Sequence, residues 1–398
     1  MASVVSISCK NGKKQAGTNR LDSAQNVAQY DLADIENAGE LIAVTISGPQ
    51  TYYQFHGREL GLQYALAENF ANSMGLRLRM EVARDTSELY HLLLTSKVDL
   101  IAYPLPAKIS EKMGLKVCGV HDASDENSWS VRKQSVDLSD ALNEWFHPAL
   151  ISQVKNNQKH ILTTPFVRRH ARAVFLNRGK GVISSYDALF IRYSAFVGWD
   201  WRLLAAQSYQ ESAFDPQAVS WAGAKGLLQI MPSTASTMGI SSNVLFQPEA
   251  NISTAVRYLN KLQHQFDDIR NPLERQKFVL ASYNGGYNHI RDAQRLAQKY
   301  HRNPQSWDAV SFYVYNLSNP HYYRDPVVRY GYMIGGETYN YVNSILDRYA
   351  EYRGVARPMS PHLCDLHSEP EKAYRKNRFT RHNSNILSRE DSIFKISH

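Results

Sequence analysis

Apolar positions along this chain keep one rhythm early and another late. Leu41-Ile42-Ala43-Val44-Thr45-Ile46 is an apolar, β-branched run of the kind that forms a buried strand. Leu62, Ala65, Leu66, Phe70 and Met74 then fall on one face of a helix, with Gly75 as its stop signal. Leu76 to Val82 alternates as a second strand, Leu89, Leu92 and Leu93 mark a second helix, and Val98 to Ala102 is a third strand. This alternation predicts an α/β unit with parallel pairing and right-handed crossovers. Ala173-Val174-Phe175-Leu176 reads as its last strand, with Gly179 and Gly181 as a hinge. Ser184 and Asp187, at capping-box spacing, open the next helix. From there to Arg353 strand signals stop and helical periodicity with aromatic residues takes over, which predicts an all-α unit. The predicted organisation is therefore a flexible linker over 1–37, an α/β domain over 38–178, an all-α domain over 179–355 and a basic, unstructured tail over 356–398.

Composition narrows the partners. A chain of 398 residues with 43% hydrophobic content can bury a sizeable core in each of two domains. A formal charge of +8 suits an anionic polymer or membrane surface. Zinc-finger spacing, an RNA-binding signature and a helix-turn-helix pattern are all missing, which argues against nucleic acid. Part of the excess sits in the tail, where Lys372, Arg375, Lys376, Arg378, Arg381 and Arg389 meet no acid before Glu390.

The three cysteines, Cys9, Cys118 and Cys364, are too scattered for a disulfide framework or a metal site. His264, His289 and His301 also lack paired metal-ligand spacing. Cys9 follows Val4-Val5-Ser6-Ile7-Ser8 and precedes a polar stretch, which resembles the cleavage box of a bacterial lipoprotein. The run before it is short for a signal peptide and has no basic start, so a lipid-bearing Cys9 and an incidental one both stand. No apolar run reaches the roughly 18 residues that a membrane-spanning helix needs.

Chemistry concentrates late in the chain. Trp199-Asp200-Trp201 to Gln207 reads as a helix capped by Asp200, Glu211 sits at its far end, and Pro216 stops it from continuing. A carboxyl at the end of an apolar helix, facing the turn Gly226-Leu227-Leu228-Gln229, has the semi-apolar setting that suits a proton donor for a glycosidic bond. Asp215, followed by Pro216, suits a turn better than water activation. Ser212 lacks the elbow glycines of a serine nucleophile.

Two resemblances follow from these residues. The early strand order, Gly57, Gly61 and the Lys97-Val98-Asp99 turn resemble the first lobe of periplasmic solute-binding proteins of the amino-acid type. Trp129-Ser130-Val131-Arg132-Lys133, with the helix Leu138 to Trp145, resembles the segment where such a chain returns from its second lobe. Pro106 and Trp129 lie too close in sequence for a second lobe, and the family's Thr-Pro-Glu-Arg clamp has no match. The resemblance thus implies one reduced lobe, for which docking, or contact with a muropeptide or protein, stands beside ligand binding.

In the later part, Glu211-Ser212, the Gly226 to Gln229 turn with Met231-Pro232, Tyr283-Asn284-Gly285 and Tyr341-Val342 resemble the four signatures of family 1 lytic transglycosylases. These are goose-lysozyme-like enzymes that cleave peptidoglycan. Together with the lobe before them they resemble the F type of membrane-bound lytic murein transglycosylase. Leu228 stands where the family more often has Met, a volume-conserving change.

The resemblance implies that Glu211 protonates the oxygen between N-acetylmuramic acid and N-acetylglucosamine. As a carboxylate it then takes the proton of the C6 hydroxyl that attacks C1, leaving a 1,6-anhydromuramyl end without consuming water. Ser212, Gly226, Gln229, Met231, Tyr283, Asn284 and Tyr341 would bind substrate or hold Glu211, Ser212 through the local backbone and Tyr283 as its hydrogen-bond partner. No cofactor or metal is implied. Glycan strands would be the substrate, and a lipid on Cys9 would tether the chain to the outer membrane in the bacterial periplasm. A muramidase with a second carboxylate, a non-catalytic glycan-binding scaffold and a solute sensor remain alternatives.

Overall fold

The structure is a computed structural model that describes residues 30–121, 126–163, 167–168 and 174–354. Cys9, Cys364 and the basic tail lie outside the described residues.

The first domain is a mixed five-stranded sheet in the order β4-β1-β5-β7-β6. Its strands are β1 (Glu40–Ile46), β4 (Arg77–Ala83), β5 (Leu100–Pro106), β6 (Leu115–His121) and β7 (Asn127–Arg132), while β2 (Tyr53–Phe55) and β3 (Arg58–Leu60) form a separate hairpin. β1 runs parallel to β4 from Glu40 opposite Arg77 to Ile46 opposite Ala83, and parallel to β5 at Ala43 and Leu100. β7 returns antiparallel to β5 and β6, with Ser130 opposite Ile101 and Trp129 opposite Cys118.

Both faces of the sheet are covered, and the period of two along β1 explains how. Leu41 and Ala43 point into one core with Phe70 and Trp129, and Ile42 and Val44 into another with Leu89 and Leu93. The helices of this domain are α1 (Leu32–Ala38), α2 (Leu62–Ser73), α3 (Thr86–Leu94), α4 (Ala107–Lys112), α5 (Val136–Trp145) and α6 (Ala149–Thr163). Leu66 and Phe70 of α2 are fully buried, each stabilising the fold by roughly 1.5–3 kcal/mol. The strands expected at Leu41–Ile46, Leu76–Val82 and Val98–Ala102 and the helices between them are found as β1, β4, β5, α2 and α3, and no second lobe intervenes between β5 and β7. Asp99 ties the sheet together. Its Oδ2 accepts from Ile42 N at 3.0 Å, and its Oδ1 lies 3.5 Å from the Arg132 guanidinium.

The second domain is helical: α7 (Asp187–Ser194), α8 (Trp201–Ser212), α9 (Pro232–Thr237), α10 (Pro248–Gln265), α11 (Pro272–Gly285), α12 (Tyr287–Lys299), α13 (Trp307–Asn316), α14 (Pro320–Tyr323) and α15 (Gly335–Tyr352). One core, with Phe190, Leu204, Ile252, Phe278, Val314 and Val342, joins them. Asp200 caps α8 by accepting from Arg202 N at 3.0 Å, as expected. Asp187 accepts from Ser184 N at 2.8 Å, but α7 begins at Asp187 with Tyr186 as its N-cap, two residues after the expected start, and no side chain caps it.

Two further expectations are corrected. Val174 to Leu176 is not a strand. Val174 and Phe175 pack against the helical core instead, where Tyr352 donates to Val174 O at 3.1 Å and Phe175 lies edge-on to its ring. An apolar run of this length does not say which core it joins. The helix α8 ends because Ala213 turns left-handed, with φ 51°, before Pro216 is reached.

The domains meet at the β2–β3 hairpin. Tyr53 and Leu60 pack with Tyr323 and Tyr332, and Phe55 stacks on Trp221 at 6.1 Å. His56 Nε2 bonds Glu337 Oε1 at the start of α15, and Ser47 Oγ accepts from Tyr332 N at 2.9 Å.

Candidate active site

Glu211 occupies the last turn of α8, half-buried, where the helix breaks. Ala213 and Phe214 both take left-handed backbone, φ 51° and 61°, which costs roughly 1–2 kcal/mol per non-glycine residue. Burial offsets this. Phe214 packs edge-on to Tyr209 at 5.4 Å and lies 6.1 Å from Phe190. The break stops the helix one residue beyond Glu211. It also frees Asp215 to make a turn of its own, in which Oδ1 accepts from Gln217 N at 3.0 Å. The turn role expected of Asp215 is the one it has.

The glycine turn is bolted to this helix end. Ser208 and Ser212, one helical turn apart, both donate to Leu227 O, at 3.1 and 2.8 Å. Tyr283 on α11 donates to Leu228 O at 2.7 Å, and Gln229 Nε2 donates to Gly226 O at 2.9 Å and Ala218 O at 3.2 Å. Three successive carbonyls are thus taken by side chains. Asn251, fully buried on α10, closes the other side, accepting from Leu228 N and donating to Lys225 O and Leu245 O, each at 2.8 Å. Gly226, at φ 78°, leaves no room for a side chain, since a Cβ would lie 2.3 Å from Leu245 O and 2.4 Å from Asn251 Nδ2.

The hydroxyl donating to Glu211 is that of Tyr341, at 2.6 Å from Oε1, and Gln207 Nε2 donates to the same hydroxyl oxygen at 3.2 Å. This corrects the expected pairing with Tyr283, whose proton goes to Leu228 O. Burial first, and then the Glu211 charge, push both tyrosine hydroxyls well above their ordinary range. They stay neutral donors at any working pH. Two glycine contacts set the position of Tyr341. A Cβ on Gly335 would fall 1.6 Å from Val314 O, and one on Gly285 would fall 2.2 Å from Met333 Cε. These close approaches seat the first turn of α15 against α13 and α11. Thr338 reinforces them by donating to Asn284 Oδ1 at 2.6 Å.

The remaining expected contacts divide. Ser212 is fully buried, so it holds the turn and cannot touch a ligand. Gly226 and Gln229 are also buried and serve the turn rather than an open surface. Met231 and Asn284 are half-buried, and Met231 packs against Gly57 of the first domain, 3.1 Å from where a Cβ would be. Sequence reasoning missed Gln207, Ser208 and Asn251. The spacing of four from Gln207 to Glu211 and from Ser208 to Ser212 was the available signal. Asn251 gave none, because its partners come from two separate loops. Among the described residues no cluster of His, Cys, Asp and Glu could hold a metal.

Comparison with known proteins agrees with this layout. Residues 188–306 match the family described as the transglycosylase SLT domain, a span that holds Glu211, the glycine turn and Tyr283. The chain is 32% identical over 292 residues to "membrane-bound lytic murein transglycosylase F" of Desulfosudis oleivorans, covering 70% of this chain and 62% of that protein. It is 27% identical to the protein of the same name from Aeromonas hydrophila, covering 80% of this chain and 83% of that one. A solved structure, a mutant of domain 1 of TmArgBP in its arginine-bound form, covers 31% of this chain and 98% of its own, at 23% identity and a TM-score of 0.26. The matches to the two proteins of that name from Desulfosudis oleivorans and Aeromonas hydrophila extend over most of this chain.

Proposed function

We propose that this chain is a peptidoglycan lytic transglycosylase in which one carboxyl, Glu211, acts as acid and then as base. The observation that carries the reading is the setting of that carboxyl. It is half-buried at a helix break, one oxygen accepts from Tyr341 at 2.6 Å, and Asp215 is drawn off into its own turn. Glu211 gives its proton to the glycosidic oxygen as the bond to C1 breaks. The C6 hydroxyl of the muramic acid closes on C1 and its proton passes to Glu211. The acid is regenerated, no water is used, and the products are a 1,6-anhydromuramyl end and a free N-acetylglucosamine hydroxyl. Tyr341 supplies a neutral donor to the carboxylate that forms between the two proton transfers, a bond that strengthens as charge develops. Met231 and Asn284, both half-buried, are the expected contacts left to meet a glycan strand. The Gly226 turn, Ser212, Gln229 and Tyr283 hold Glu211 in place.

The relatives' names support attachment to a membrane, and among the described residues no helix is long and apolar enough to cross one. A lipid on Cys9, holding the enzyme at the outer membrane of a bacterial periplasm, accounts for both. The first domain serves as a docking unit beside the catalytic one, joined to it by the β2–β3 hairpin.

Digestion of purified sacculi, with soluble muropeptides read by mass, tests the reading. Anhydro-ended fragments from wild type and none from a folded Glu211→Gln variant are expected. Reducing ends would make the enzyme a hydrolase, and release from neither protein would favour a glycan-binding scaffold.

A further inference from the structure

We propose that Gln207 is a positioning residue for this reaction: it sets the direction of the Tyr341 hydroxyl, and with it the Glu211 oxygen that carries the acidic proton. The inference rests on the transglycosylase reading and adds a residue to it.

Gln207 lies one turn before Glu211 on α8 and is fully buried, so it cannot touch a glycan strand. Its Nε2 stands 3.2 Å from Tyr341 Oη, which in turn stands 2.6 Å from Glu211 Oε1. An amide nitrogen can only donate, and a phenol has a single proton. With Gln207 donating into its oxygen, Tyr341 must send that proton on to Glu211 Oε1. This oxygen is then an acceptor throughout the cycle, so the transferable proton resides on Oε2. A proton on Oε1 would face Tyr341 instead of the glycosidic oxygen. The bond from Tyr341 is also in place when Glu211 ionises, so the charge forms against a donor that has no reorientation to make.

A second observation indicates that the amide is not there for packing. Gln207 Oε1 is buried without a partner among the described residues. Leaving a buried acceptor unpaired destabilises the fold, whereas a methionine of similar volume would fill the space with no such loss. Turning the amide over would satisfy Oε1 with the Tyr341 proton, but it would leave Glu211 Oε1 without its donor.

The test is kinetic, on sacculi or a soluble glycan chain, with melting temperature as a check of folding. Gln207→Met should lower kcat about tenfold with KM within about twofold, and Tyr341→Phe about a hundredfold. The double variant should match Tyr341→Phe alone within about twofold, because without the hydroxyl there is nothing to orient. Multiplying losses, or a change confined to KM, would overturn the assignment. Gln207→Glu gives an independent reading if the methionine variant folds poorly. When ionised, the new carboxylate can only accept, and it draws the Tyr341 proton away from Glu211. When protonated it can donate. Burial and the nearby Glu211 raise the pKa of the new carboxyl, so activity relative to Gln207→Met should be kept where the group is protonated and fall as rising pH ionises it. A ratio between the two variants that stays flat with pH contradicts the proposal. Wild type yielding only reducing ends defeats the transglycosylase reading. Wild type yielding anhydro ends while Gln207→Met keeps the full rate defeats this inference alone.

Discussion

Both domains bury serines, and they use them differently. In the helical domain Ser208 and Ser212 converge on one carbonyl, Leu227 O, and so anchor the turn beside Glu211. In the sheet domain the buried hydroxyls of Ser110, Ser128 and Ser130 have no partner among the described residues. The ionisable groups differ in the same way. Asp99 and Arg132 are nearly sealed from solvent and hold strands together, while Glu211 is half-buried and takes the Tyr341 hydroxyl on Oε1. Buried polarity in the first domain fixes a fold. In the second, part of it converges on one carboxyl and the turn beside it, and a local network of that kind marks a reacting group more surely than a count of buried polar residues would.

The sharpest way to break this contrast is to damage the first domain. Asp99→Ala leaves Arg132 buried without its partner, a loss of about 3–5 kcal/mol. Hydrogen exchange should report lost protection across residues 40–132, while protection across 201–352 and the rate per folded molecule change little. A collapse of activity at full protection of the helical domain would mean that the sheet domain acts on the chemistry directly.

A buried group in the helical domain that does not serve Glu211 gives the next effect. Burial pushes the imidazole of His289 down to about 4 from an ordinary 6.5. The unfolded chain therefore binds a proton that the folded chain refuses. Stability falls as pH drops from about 6.5 towards 4, by about 3 kcal/mol at most, and levels off below. Denaturant unfolding across that range checks it, and His289→Asn should flatten the limb without altering kcat at neutral pH.

Two serine substitutions complete the comparison at the small end. Ser212→Ala removes one of the two bonds to Leu227 O and should cost about 1 kcal/mol of stability and several-fold in kcat. Ser130→Ala removes no bond and should leave both stability and activity within error, or raise the melting temperature slightly. Equal effects from the two would erase the distinction between the domains.

Much of this was legible in the chain, for identifiable reasons. Leu41 to Ile46 and the face of Leu62, Leu66 and Phe70 carry their periods locally, so the sheet and its first long helix could be read directly. Glu211, the Gly226 turn and the two tyrosines were legible as motifs. Which tyrosine meets Glu211 was not, because that depends on how α11 and α15 cross α8, and the crossing is set by the close approach of Gly335 to Val314 O and of Gly285 to Met333. Val174 and Phe175 were misread for a related reason: an apolar run declares burial without declaring which core buries it. The helix α6, whose Leu150 and Val154 complete the first core, went unread because its other positions are strongly polar.

The central claim is that one carboxyl performs both proton transfers and that the C6 hydroxyl, not water, attacks C1. Digesting sacculi in water enriched in oxygen-18 and weighing the released muropeptides tests it in a single experiment. 1,6-Anhydro ends with no label incorporated are expected, and no release by Glu211→Gln. Labelled reducing ends would contradict it and send the search to a second carboxylate.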